Sequence, residues 1–224
     1  MGNQNDELYE TWDKWFDELG AQVTQLFKQR QIYYEVREIV RSNPRAHEPG
    51  DFFYWLSVWY SSSMAVAVRK QSDQSPNSIS FRRLLADIKD HPEVISRTRF
   101  KQLFVYGREG LADLDFDRYV GAGREFIDTA VVEKEIGELE AKTDKIRRYV
   151  NKRVAHHDKK EFDDVPKYSD LDEAIDFIGT LYKRYFLIFR CASPGELLPD
   201  RGYDWKKVFR HPWLTNDVPN MSAE

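Results

Sequence analysis

The residues of this chain that could do chemistry gather in one stretch, Arg147-Arg148-Tyr149-Val150-Asn151-Lys152-Arg153-Val154-Ala155-His156-His157-Asp158. Histidine is the side chain that gains and loses a proton near neutral pH. Cations beside it would hold a phosphate, and the combination suits RNA cleavage by the ribose 2′-hydroxyl, a reaction that needs no metal. Between Lys142 and Lys160 stand eight Lys or Arg and two Asp, a local charge of +6 in a chain of net charge −4. The rest of the chain therefore carries −10. That concentration fits a local phosphate site and argues against a protein that coats nucleic acid non-specifically. The plain alternative is a solvated helix face ending in a histidine that complements the helix dipole.

The stretch sits at the end of a regular helical pattern. Val132, Ile136, Leu139, Thr143, Ile146, Val150 and Val154 recur at helical spacing and define one inward face. Projecting the helix at about 100° per residue puts His157 and Arg153 within roughly 20° of Ile146, beside that face. His156 falls on an edge stripe with Tyr149, Lys145 and Lys152. One helix cannot bring Arg148 onto His156, whereas two helices crossing about a two-fold axis would.

The rest of the chain reads as helical scaffold. Leu8, Trp12, Trp15, Leu19, Val23, Leu26, Tyr33, Val36 and Val40 mark a long first helix, bent near Gly20 and stopped before Pro44. The run Phe52 to Tyr60 is apolar nearly all round and is expected in the middle of the bundle, with Ser61, Ser62, Ser63, Ala65 and Ala67 allowing close helix approach. Ser80 reads as an N-cap, with a helix to His91 and another from Glu93 to Tyr106. Residues 107 to 117 read as a loop, and Gly121-Ala122-Gly123 as a helix start or kink, not a dinucleotide fingerprint. Ser169 to Glu173 caps a helix with Ile175, Ile178, Leu181, Tyr185 and Ile188 inward. Asp204 to Phe209 forms a short terminal helix. No strand pattern appears, so the expected fold is all-α, a bundle of long antiparallel helices. The expected organisation is a single domain, 1–224, with 194–224 as a C-terminal extension and capping helix.

Several function classes drop out. The single cysteine, Cys191, excludes an internal disulfide framework and fits a reducing cytosol. The N-terminus has no signal-peptide pattern, and the longest uncharged run, Phe52 to Val68, reaches only about 25 Å as a helix, short of a roughly 30 Å bilayer core. His156-His157-Asp158 lacks metal-ligand spacing, because adjacent helical residues diverge by about 100°. No metal and no cofactor is expected, and no membrane association.

The block Asn151-Lys152-Arg153-Val154-Ala155-His156 resembles the signature of the HEPN superfamily, all-α domains common in prokaryotic defence and toxin–antitoxin systems. The order of the other segments resembles its AbiU-like abortive-infection branch. They are Arg69 to Asp73, Ile79 to Leu85, the Asn-Lys-Arg-Val-Ala-His block, and Asp204-Trp205 to Pro212-Trp213, within a span from Trp12 to Trp213. Active members carry an arginine, then several residues, then a histidine, and dimerise so that two motif helices form a shared RNase cleft. The resemblance makes His156 the motif histidine and Asn151 the motif polar residue. At the family's spacing the arginine position falls on Tyr149, Val150 or Asn151, none of them basic, and Arg148 stands one position further away.

What the resemblance implies is a cytoplasmic, homodimeric defence or toxin-type protein of a bacterium, with RNA as substrate or ligand and an antitoxin or defence-system protein as partner. As a metal-independent endoribonuclease it would use His156 as general acid/base with Arg148 and Asn151, and Lys145, Tyr149, Lys152 and Arg153 to bind phosphate. The alternative is a catalytically inactive HEPN module that dimerises and binds RNA or a protein.

Overall fold

The computed structural model describes residues 2–43, 50–104, 109–154, 162–198 and 202–210. Helix α1 runs over Gly2–Ser42, α2 over Asp51–Gln71, α3 over Phe81–Asp90, α4 over Arg97–Gln102 and α5 over Glu109–Tyr119. Helix α6, Thr129–Tyr149, continues into a π turn at Val150–Val154, and α7 spans Tyr168–Arg190. A 3-10 turn covers Pro92–Val94 and another, Trp205–Arg210, closes the described chain. Among the described residues no strand forms; Ser96 and Phe126 make one isolated antiparallel bridge. The fold is all-α, as the periodicity predicts.

Helix α6 is the spine: α3, α7 and α2 pack around it, while α1 lies along α7 and α2. The predicted inward residues of α6, Val132, Ile136, Leu139, Thr143, Ile146 and Val150, are all buried. Two glycines set how closely helices approach. A Cβ on Gly20 would stand 2.7 Å from the Tyr182 hydroxyl, and one on Gly179 would stand 2.5 Å from the Phe27 ring. Gly20 therefore marks the contact of α1 with α7. Polar bonds tie the same layers: the Tyr33 hydroxyl meets Ser57 at 3.1 Å and Tyr168 at 3.0 Å, and its ring stacks on Tyr60 at 3.8 Å.

Several expectations need correction. The aromatic half of α2 is not in the middle of the bundle: Phe52, Tyr54, Trp55, Val58 and Trp59 are exposed, and burial begins at Tyr60. The predicted loop at 107–117 contains α5. Its apolar stripe is only Ala112, Phe116 and, just past its end, Val120, too narrow to stand out among acidic residues. Arg97 holds the helix from outside, with Nη1 on Asp113 at 3.0 Å and Nη2 on Asp117 at 2.5 Å. Gly121 and Gly123 form a turn rather than a helix start, with φ of 141° and 66°, a region open to glycine, and the Gly123 amide donates to Asp117 at 3.0 Å. Helix α6 begins where the Asp128 carboxylate accepts from the Ala130 amide at 3.0 Å. Ser80 does cap α3, accepting from the Arg83 amide at 3.0 Å.

Candidate functional site

The last turn of α2 and the end of α6 converge beside the loop that joins α2 to α3. Of the small residues on α2, Ser61 and Ala65 face Tyr149 at the end of α6, while Ser63 and Ala67 face α1. The Ser72 amide and hydroxyl both donate to the Arg69 carbonyl, at 3.1 and 3.0 Å, and finish α2 there. Between the helices lies an open cleft of about 660 Å³, lined among others by Arg69, Asp73, Glu140, Asp144, Arg147 and Asn151.

Across this cleft the Arg69 Nε donates to Asn151 Oδ1 at 2.8 Å. Among the described residues Arg69 makes no ion pair with a carboxylate. Among the described residues its side chain meets a neutral amide; Asn151 is exposed and Arg69 partly buried. A guanidinium placed this way has donors left for a carboxylate or a phosphate.

Four other cations of the basic stretch are held by acids. Arg148 donates to Asp144 at 2.9 Å and to Asp164 at 2.8 Å, and Arg147 to Asp144 at 2.5 Å. Lys145 bonds Asp170 at 2.9 Å and lies 3.5 Å from Asp164, and Lys142 bonds Glu173 at 2.8 Å. These bonds from Arg147 and then Arg148 hold the Asp144 carboxyl below the usual carboxylate range. Asp164, Asp170 and Glu173, which lie past that stretch, thus offset about half of the local +6.

The remaining predicted residues fall as follows. Tyr149 packs its ring 6.1 Å from Phe162, and the Lys152 ammonium lies over the same ring at 5.6 Å. Arg153 is half-buried, as its position near the inward face requires. His156 and His157 lie outside the described residues, as do Ala155 and Asp158. The structure brings Asn151 to Arg69 and leaves Arg148 on its acids, off the cleft lining. The projection at constant α-helical pitch also fails past Tyr149, because the π turn at Val150–Val154 uses a longer hydrogen-bonded ring and advances each residue by a smaller angle. Such turns recur at functional sites.

Arg69, which the spacing along the motif helix does not single out, reaches the cleft from α2. The available signal was the Arg69 to Asp73 segment, which carries part of the family resemblance. Burial pushes the Cys191 thiol up to about 12, and the residue closes α7 at φ 48°.

Helix order, the α6 spine and the motif at its end define an all-α HEPN-type domain. The chain belongs to the AbiU2 family of HEPN proteins, whose model matches residues 9–208, and is on that basis an abortive-infection-type protein. No curated protein and no solved structure matches it significantly. No described helix is long and apolar enough to cross a membrane.

Proposed function

We propose that the cleft between α2 and α6 binds the RNA backbone and that the chain is a metal-independent endoribonuclease of a bacterial defence or toxin-type system. The observation that carries this is the Arg69–Asn151 pair. It presents a guanidinium without a carboxylate partner among the described residues, at the turn that leads into His156. Arg69 would grip a phosphate oxygen, Asn151 would fix the guanidinium plane, and Lys152 would add charge at the rim. His156 would take the proton of the ribose 2′-hydroxyl as O2′ attacks phosphorus, and then return a proton to the departing 5′-oxygen. The products would be a 2′,3′-cyclic phosphate end and a 5′-hydroxyl end. Because Arg69 and Asn151 come from one chain, the phosphate grip needs no arginine from a partner. The protein is expected to act as a homodimer in the cytoplasm, held in check by an antitoxin or defence-system protein.

A second reading has its own support. Asp73, Glu140 and Asp144 also line the cleft and oppose a close approach of phosphate. They favour a catalytically inactive module in which Arg69 receives a carboxylate of a protein partner. Purified protein incubated with total RNA and tRNA in EDTA separates the two. Cleavage that yields cyclic phosphate ends and is lost in His156→Ala supports the nuclease, and cleavage that survives His156→Ala overturns it. No cleavage by wild-type protein leaves the binding module as the reading.

A further inference from the structure

Helices α1 and α2 run antiparallel: Gln71 bonds Gln22 at one end of their contact, and Ser57 bonds Tyr33 at the other. Between them, lined by these two helices alone, runs an open groove of about 420 Å³. Ser63 and Ala67 stand on its α2 side and are too short to close it; Leu26 and Ala67 supply its apolar lining. The polar side chains along it are uncommitted. Gln25 and Gln29 on α1, with Glu18 and Lys70 at the Gln71 end, make no side-chain hydrogen bond or ion pair among the described residues. Gln71 is only 1% exposed and half satisfied. Its Nε2 donates to Gln22 at 2.7 Å, and its Oε1 has no hydrogen-bond partner among the described residues. Buried acceptors in folded proteins nearly always have a donor, so an orphan on a groove wall points to a donor brought by another molecule.

We infer that this groove holds an extended segment of a partner polypeptide by its main chain. Three features select that occupant. The first is charge. The groove offers one lysine and one glutamate, which cancel, whereas a polyanion needs a row of cations. The second is hydrogen bonding. A glutamine amide carries donors and an acceptor together, the same pair of groups that every peptide unit presents. Gln25 and Gln29 are separated by about 6 Å of helix rise, close to the ~6.6 Å at which an extended chain repeats those groups along one edge. The third is length. From Glu18 to Gln29 the groove runs roughly 16 Å, the span of about five extended residues. Glu18 and Lys70 then select side chains of both signs at one end of the segment.

Lys70 and Gln71 belong to the last turn of α2, and the same turn delivers Arg69 to the cleft. Groove and cleft flank that turn and share no lining residue. A partner seated in the groove therefore holds the chain and leaves the cleft open. The inference rests on neither reading of the cleft: peptide binding can fail while RNA cleavage stands, and the reverse.

The test uses a displayed library of random heptapeptides selected on the wild-type protein. Enriched sequences are then made as labelled synthetic peptides and titrated by anisotropy. They should bind wild-type protein and lose roughly tenfold or more in affinity with Gln25→Ala/Gln29→Ala, which removes two of the amides. Ala21→Trp, whose ring fills the groove from an exposed position, should cost as much. Leu111→Glu, on the exposed side of α5, should change nothing. The same peptides N-methylated along the backbone should lose binding to wild-type protein, because the main-chain donors are gone. If a variant fails to keep its circular dichroism, the N-methylated peptides decide on wild-type protein alone. A library that enriches nothing, peptides that bind Gln25→Ala/Gln29→Ala and Ala21→Trp as well as wild type, or N-methylation without effect would each overturn the proposal.

Discussion

Arg69 and Asn151, 82 positions apart in the chain, meet through one hydrogen bond of 2.8 Å from the guanidinium Nε to the amide oxygen. The bond joins the end of α2 to the π turn that follows α6, and it fixes the guanidinium at the open side of the cleft. Its chemical consequence is a cation held by a neutral partner, where the neighbouring arginines are held by acids.

Removing that cation should weaken RNA binding without harming the fold. A charge-assisted hydrogen bond contributes about 1.5–3 kcal/mol, so Arg69→Ala should lower affinity roughly 10- to 100-fold. The slope of log affinity against log salt should also fall by about one. Arg69→Lys should recover little, because an ammonium cannot keep the Asn151 bond and grip phosphate in one plane. Anisotropy titrations of labelled RNA at several salt concentrations measure all three, and wild-type affinity in Arg69→Ala would exclude the cleft.

Asn151→Asp offers a sharper contrast. A carboxylate at this position would pair with Arg69 and neutralise it. RNA affinity should drop at least as far as in Arg69→Ala, while the melting temperature stays level or rises. A loss of stability would mean that Asn151 serves the turn and not the ligand.

Helix α5 should loosen in acid. Its carboxyls Asp113 and Asp117 are held below the usual range, Asp113 first by its bond to Lys101 and then by Arg97, Asp117 first by its bond to Arg97. A lowered folded-state value means that the contribution is present above the unfolded carboxylate range and is lost as pH falls through the folded value. Hydrogen exchange of α5 amides should therefore quicken on acidification, and in Arg97→Ala it should be fast already at neutral pH. Equal protection in the variant would show that Ala112 and Phe116 suffice.

Glu135 should behave in the opposite sense. It is buried under α7, accepts from the Tyr185 hydroxyl at 2.8 Å and pairs with Arg184 at 3.0 Å. Burial, outweighing Arg184, raises its carboxyl above the usual range. Stability from a raised acid is present below the unfolded value and is lost as pH rises through the folded one. Glu135→Gln keeps an acceptor for Tyr185 and cannot ionise. At neutral pH it should be more stable, with a higher melting temperature than wild type. The gain should vanish as pH falls through the carboxylate range. Thermal melts of both proteins across that range check the sign.

The sequence by itself determined the fold class and the buried faces of α1, α6 and α7, because a period near 3.6 over many turns leaves one geometry for burial. Val132 to Val150 on α6 and Leu171 to Phe189 on α7 were legible for that reason. Asn151 was legible as a motif position, and so was Ser80 as a cap, since both signals are local. Tertiary structure alone decided three things. Helix α5 is placed by the burial of Ala112 and Phe116 and by Arg97, outside it in sequence, which bonds two of its acids. The aromatic half of α2 faces outward, since a helix apolar on all sides does not itself say which side the core takes. Arg69 reaches the cleft from α2 and bonds Asn151 there, because a guanidinium on a long side chain can be delivered from any helix that packs close enough, and spacing along one helix holds no record of that packing.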